Sequence, residues 1–269
     1  LWACTLLAIL LGGYAALART EGLQARYQFA QTQAHYAAEA GLMRAIYGLQ
    51  NPVAKQRWIG DGRVYSFKYD NATVTLSAID EGGKVDLNAA SPEVLRGLFR
   101  ATGMKPAEAQ VLADHVVDWR NPVDLEGAGD SQRAVYAAAG RDYGPRNGPF
   151  ASIEELQMVL GMTPALYRQV LPVVTIWAGS ASPDPNIAPP LALAAIPGMT
   201  PQQQNAIQAA RLKNANDPSL VLNNGTTHSI RSEAALADGT RAILRATIRL
   251  QAGQAQPYAV LRWQEGEAE

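Results

Sequence analysis

The sequence predicts an α+β protein. One long N-terminal helix packs on an antiparallel sheet, and a large all-helical segment is inserted between the strands of that sheet. Three observations predict this. Helical patterning runs without a proline from residue 1 to residue 49. Strand patterning is confined to residues 63–79 and to the chain after residue 226. The residues between them carry helix caps and glycine corners instead. An isolated two-stranded hairpin is marginal in water, so the two distant strand regions are expected to share one sheet.

Composition supports a folded chain. Of 269 residues, 48% are apolar and 17% charged, which is enough for a core and argues against global disorder. The net charge of −1 lacks the basic surplus of a dedicated nucleic-acid binder. Cys4 is the one cysteine, so neither an intrachain disulfide nor a cysteine zinc site can form.

The first helix has two halves. Residues 1–18, LWACTLLAILLGGYAALA, carry no charge. As a helix they span about 27 Å, near the lower limit for crossing the hydrocarbon layer. The chain opens on Leu1, and a few residues upstream are expected to make that span comfortable. A signal peptide would end at a small-residue cleavage site and give way to unrelated sequence. Here helical patterning continues, with Leu23, Tyr27, Ala30, Ala34, Ala37, Ala38, Leu42, Ala45, Ile46 and Leu49 at three- and four-residue steps. Asn51-Pro52 ends it. The first half (1–18) suits lipid as a transmembrane segment, and the amphipathic half (19–50) suits a folded domain.

Two strands are expected around an Asp70-Asn71 turn within Arg63–Ile79. A second hairpin is expected from RAILRATIRLQ (241–251) and PYAVLRW (257–263), with THSIRSEA before it as a further strand. In 241–251, Arg241, Arg245 and Arg249 share one face, and Ala242, Leu244, Ala246, Ile248 and Leu250 the other.

The helical middle turns three similar corners: Gly103-Met-Lys-Pro106, Gly161-Met-Thr-Pro164 and Gly198-Met-Thr-Pro201. Each glycine suits the left-handed position after a helix end. Each proline suits the first turn of the next helix. Thr163 and Thr200 can cap that helix, Ser91 precedes Pro92, and Ser152 with Glu155 has capping-box spacing. The pattern is that of helix-hairpin-helix-like repeats. A DNA-binding hairpin would carry a second glycine and exposed cations at the corner. Here Lys105, Thr163 and Thr200 stand in the glycine's place, and only Arg211 and Lys213 lie near the end of the third hairpin. A membrane-tethered DNA-binding protein is therefore the weaker alternative.

Between the first two hairpins, Asp118, Asn121, Asp124, Glu126 and Asp130 fall in glycine-rich, loop-like sequence. Oxygen donors in this density suit calcium. The spacing is not that of an EF-hand, and a solvated acidic loop is the plain alternative. His35, His115 and His228 are scattered, and His115 with Asp118 reads as an exposed helical pair. No nucleophile elbow, phosphate loop or two-histidine metal motif is present, so no enzyme is expected.

Several stretches together resemble one family. GGKVDLNAASPEVLRGLF (82–99), VVDWRNP (116–122), NGPFASIEELQMVLGMTPALYRQVLPVVTI (147–176) and the closing YAVLRW are similar to segments of the type II secretion system minor pseudopilin K family. The resemblance implies a pilin-like fold: the long helix (1–50), a first part of the sheet domain (51–83), an inserted helical domain (84–225) and the last strands (226–269). It implies a non-enzymatic subunit that joins minor pseudopilins I and J, caps the pseudopilus tip and primes its assembly for protein export across the outer membrane. The implied setting is a single-pass anchor in the bacterial inner membrane with the globular part in the periplasm. Other pseudopilins, the inner-membrane assembly platform and a prepilin peptidase cutting upstream of Leu1 are implied partners, and nucleic acid is not. Calcium in the helical domain is also implied, although Asn121 stands where an aspartate is common.

Overall fold

The computed structural model describes residues 1–122, 128–214, 225–251 and 255–266. By internal contacts the chain forms two units, one of Leu1–Asn51, Gly62–Ala78 and Ser229–Glu269, the other of Pro52–Asp61 and Ile79–His228.

In the first unit a single helix, α1, runs from Trp2 to Leu49. Its apolar start has no buried residue, and Leu6, Leu7, Ile9, Leu10 and Leu11 are all open. By length and composition this is the one described helix that could cross a membrane. Burial begins only at Ala34 and then follows Ala37, Ala38, Gly41, Leu42, Ala45, Ile46 and Leu49, a three- and four-residue stripe. Leu23 and Tyr27, expected on that stripe, are 59% and 62% exposed. The 3.6-residue period is the same along the whole helix, but the surface it faces covers only the C-terminal part.

That surface is a five-stranded sheet of order β1 (Asp61–Tyr69), β2 (Ala72–Asp80), β5 (Thr227–Leu236), β6 (Arg241–Leu250) and β7 (Tyr258–Gly266). Both ends of the chain thus supply one sheet, as the marginality of lone hairpins requires. Asp70 takes the left-handed conformation (φ 50°) in the β1–β2 turn, which its short polar side chain tolerates. β6 and β7 pair antiparallel, and the register skips Leu261, a bulge opposite Thr247 and Ile248. β6 is buried on both faces at its centre: Leu244, Ala246 and Ile248 on one, Ile243 and Thr247 on the other. The arginine face read from the sequence is open only at its ends.

Gly41 sets the helix-to-sheet distance. A Cβ there would lie 2.6 Å from Val74 Cγ1 and nearer still to Ser232 Oγ, so only glycine lets the helix backbone sit this low.

The second unit is helical: α2 (Pro92–Ala101), α3 (Pro106–Arg120), α4 (Ala128–Ala138), α5 (Pro164–Val170), α6 (Pro190–Ala195) and α7 (Pro201–Asn214). Two short strands, β3 (Val85–Asp86) and β4 (Val174–Thr175), pair in parallel. One core gathers Leu95, Leu98, Phe99, Leu112, Leu156 and Leu193, all fully buried. α2 crosses α6 at Gly97, where a Cβ would come within 2.8 Å of the Ala195 carbonyl carbon.

The three glycines do take left-handed φ: 95° at Gly103, 91° at Gly161 and 76° at Gly198. Met104, Met162 and Met199 all pack on the core. Ser91 accepts the Val94 N–H, and Thr163 accepts the Leu166 N–H at 3.2 Å. At the third corner Thr200 and Gln203 satisfy each other's backbone N–H, a full capping box. The repeat is not threefold, however. The segment before the second corner, Ile153–Met158, is a 3₁₀ helix, and Ser152 makes no side-chain cap. Glu155 is drawn elsewhere, to Arg146, Trp119 and the Ala151 N–H.

Candidate functional site

Three of the four stretches that carried the family resemblance converge within the helical unit; the fourth, YAVLRW, lies in β7. Asp86, 1% exposed, lies at the end of β3. Its Oδ1 accepts the N–H groups of Asn88 (2.7 Å) and Ala89 (3.1 Å), and its Oδ2 accepts that of Gly179 (2.7 Å). Asn88 then ties to Phe150 in both directions, donating to its carbonyl at 3.1 Å and accepting its N–H at 2.7 Å. Arg120, at the last turn of α3, donates to the carbonyls of Leu87 (2.8 Å) and Ala90 (2.6 Å). Burial pulls its guanidinium below the usual arginine range, and Asp86 opposes that. Trp119, its neighbour, stacks on Phe150 with ring centres 6.1 Å apart and donates to Glu155 at 3.3 Å. Thus the three separated motifs are one polar and aromatic bracket. Asp86 and Arg120 satisfy their backbone partners with charged groups, which gives those bonds more weight than the neutral pair between Asn88 and Phe150.

The second corner is gripped by the same bracket. The Leu160 carbonyl accepts from His115 Nδ1 at 2.8 Å, and its N–H donates to Tyr136 Oη at 3.1 Å. His115 is therefore a structural tether, not half of an exposed pair. Burial raises the Tyr136 hydroxyl above its ordinary range. Arg211, one of the two cations near the end of the third hairpin, donates to the carbonyls of Ala188 and Pro185. Its burial lowers its pKa, with Asp184 and Asp61 opposing. This guanidinium is engaged with its own fold and not poised for phosphate.

Of the five oxygen donors singled out for calcium, Asp118 and Asn121 lie at the C-terminal end of α3, and Asp130 lies in the first turn of α4. Asp124 and Glu126 fall outside the described residues. Asn121 is exposed, and Asp118 is half-buried. Burial raises the Asp118 carboxyl above the usual carboxylate range, Asp114 adds to this, and His115 and a hydrogen bond from Gln132 oppose it. Gln132 also accepts from Asn147 Nδ2 at 2.8 Å, and Asn147 sits in the left-handed region (φ 52°). So the two flanks of the acidic loop are held together. Among the described residues no three His, Cys, Asp or Glu side chains stand close enough to hold a metal ion.

Sequence reasoning missed Asp86, Asn88 and Arg120 as a bracket, because their partners are backbone groups far along the chain. It also missed a buried group at the ends of this unit, Asp80, Glu81 and His228, which are 3%, 0% and 0% exposed.

Comparison with known proteins places this bracket in context. Residues 73–179 match the family model described as type II secretion system (T2SS), protein K. That interval contains Asp86, Asn88, Trp119, Arg120, Phe150, Glu155 and Gly179. The chain is 30% identical over 166 residues to the type II secretion system protein K of Klebsiella pneumoniae, covering 58% of this chain and 49% of that one. It is 30% identical over 155 residues to the protein K of Pseudomonas aeruginosa, covering 53% and 45%. The matches thus span about half the length of these curated relatives. The fold is similar to a chain in the crystal structure of the GspK-GspI-GspJ complex from enterotoxigenic Escherichia coli, with a TM-score of 0.58, 17% identity, and coverage of 93% of this chain and 100% of that one. Three of the four motifs that first suggested a relationship are joined by the fold, and all three lie within residues 73–179, the stretch that matches the family model described as type II secretion system (T2SS), protein K.

Proposed function

We propose that this chain works as a minor pseudopilin of the type II secretion system, an assembly subunit and not an enzyme. The observation that carries the reading is the division of α1. Its apolar first part has no buried residue, while its second part is packed on a sheet that the helical unit interrupts between β2 and β5. A helix of this kind anchors a globular head at a bilayer. In this reading the anchor lies in the inner membrane and the head in the periplasm. The similarity to the protein K chains and to a chain of the GspK-GspI-GspJ complex supports minor pseudopilins I and J as partners.

A mechanism follows from bulk. A thin filament grows when each new subunit lays its helix against earlier ones. A head that carries a second unit with its own core obstructs further stacking above it. Such a subunit is confined to the tip, where with its partners it primes assembly. The test is purification from membranes with candidate I and J subunits, using the full chain and a chain lacking residues 84–223. The deleted chain is expected to keep its membrane attachment and to lose the tip complex. Unchanged complex formation and secretion after the deletion would overturn the role given to the helical unit.

We also propose calcium as a ligand of the acidic loop, held by Asp118, Asn121, Asp124, Glu126 and Asp130. The supporting observation is Asp118, a half-buried carboxyl held above its usual range beside Asp114, which a divalent cation would relieve. Calcium there would supply charge neutralisation and cross-link the flanks of the loop. Calorimetric titration with calcium, repeated on Asp124→Ala, tests it. Heat that the variant abolishes supports the site, and no heat from the unaltered protein removes the metal.

A further inference from the structure

The helical unit begins and ends beside one buried carboxylate. Asp80 closes β2, and three parts of the chain meet at it. Its N–H donates to the Gly60 carbonyl at 2.7 Å. Its Oδ1 accepts the Gly82 N–H at 2.9 Å, and its Oδ2 accepts the N–H of Gly225, 145 residues further on. The approach leaves no room for side chains. A Cβ at Gly225 would lie 2.8 Å from Oδ2, and one at Gly60 would lie 2.8 Å from His228 Cδ2.

His228 completes the group. It is fully buried, and neither ring nitrogen has a hydrogen-bond partner. Its Nε2 stands 3.7 Å from Asp80 Oδ2, too far for a hydrogen bond. Glu81 is fully buried as well, paired through Oε1 with Lys84 at 2.6 Å, while its Oε2 has no partner. The charged groups acting on His228 are thus Asp80 at the end of β2 and Glu81 in the following turn, with Lys84 already engaged by Glu81. The segments at Gly60 and Gly225 approach with glycine.

We propose that Asp80, Gly225 and His228 form an acid-sensitive clasp that holds the entry and exit of the 79–228 segment together and opens when His228 takes a proton. The neutral imidazole fits the closed arrangement, since it asks nothing of Oδ2. A protonated imidazole must be neutralised. The nearest acceptor is Asp80 Oδ2, already bonded to the Gly225 amide. The proton therefore sets the imidazolium against Gly225 for one oxygen, and the exit strand loses its tether. Burial already depresses the His228 pKa, with Asp80 and Glu81 only partly opposing. A folded pKa below the unfolded value means that the open form binds the proton better. Stability of the clasp is then complete above about pH 6.5, the ordinary histidine value, and is lost as pH falls from there toward the folded pKa.

Hydrogen exchange of the full chain in detergent micelles tests this, with rates corrected for intrinsic pH dependence. The opening constant of the Gly225–Ser229 amides should rise up to about tenfold between pH 7.5 and 5.5, as one histidine near 6.5 in the open form allows. Over the same range amides of α3 such as Leu112 and Trp119 should not change. His228→Gln should abolish the pH dependence, and Asp80→Asn should open the segment at both pH values. If Asp80→Asn does not fold, His228→Gln alone decides. An opening constant equal at the two pH values, a pH dependence that survives His228→Gln, or a parallel rise in α3 would each overturn the clasp.

Discussion

Gly97→Ala tests how closely the helical unit is packed. In an exposed helix the change would help by about 1 kcal/mol, because alanine is the better helix former. Here the new Cβ would lie 2.8 Å from the Ala195 carbonyl carbon, with the carbonyl oxygen nearer, whereas non-bonded contacts of a Cβ with atoms elsewhere in the fold essentially never fall under 3.0 Å. The obstacle is backbone, so no rotamer relieves it. α6 must move away from α2, and fully buried Leu95, Leu98 and Leu193 then lose part of their contacts. Overpacking of this kind costs about 1–3 kcal/mol and occasionally more. Against the propensity gain, a net loss of about 1 kcal/mol is expected, which is roughly 2–4 °C in Tm for a unit of this size. Far-UV circular dichroism melts of the full chain measure it. Trimming the neighbour with Ala195→Gly should give no rescue, since the clash is with a carbonyl. A Tm equal to or above that of the parent would refute the close α2–α6 crossing and the reasoning built on it.

Other expectations follow from the same kind of reading. Gly41→Ala should also destabilise, but here the obstacles are the side chains of Ser232 and Val74, so Ser232→Ala should recover part of the lost Tm. Asp86→Ala leaves three amide donors without their acceptor, and a loss of about 3 kcal/mol or more in denaturant melts is expected. The raised pKa of Asp118 means that its charged form is disfavoured by folding. Stability is therefore lost as pH rises from its unfolded value through its folded one, and without calcium Asp118→Asn should raise the Tm at pH 7. A fall in Tm would show that the carboxylate is held by something the fold supplies.

Much of the fold is legible because it rests on periods and caps. The 3.6-residue stripe of α1, the alternation in 63–79 and 241–251, and the Gly-Met corners each encode local geometry. What escaped reading depends on partners distant in the chain. β3 and β4 are two residues each, too short to show any alternation, and exist because Val85 and Val174 meet in the core. Ser152 and Glu155 have capping-box spacing, yet Glu155 is claimed by Arg146 and Trp119, and the turn tightens to 3₁₀. His228 reads as an ordinary residue near the start of a strand, since nothing local shows that Asp80 lies across from it. The bracket of Asp86, Asn88 and Arg120 was visible only as motif similarity, because backbone acceptors leave no mark in sequence.

The most direct test of the proposed role is where the subunit sits. Pseudopili assembled with a gold-labelled version of this chain, viewed by electron microscopy, should carry label at one end only. Label at regular intervals along the shaft would contradict it.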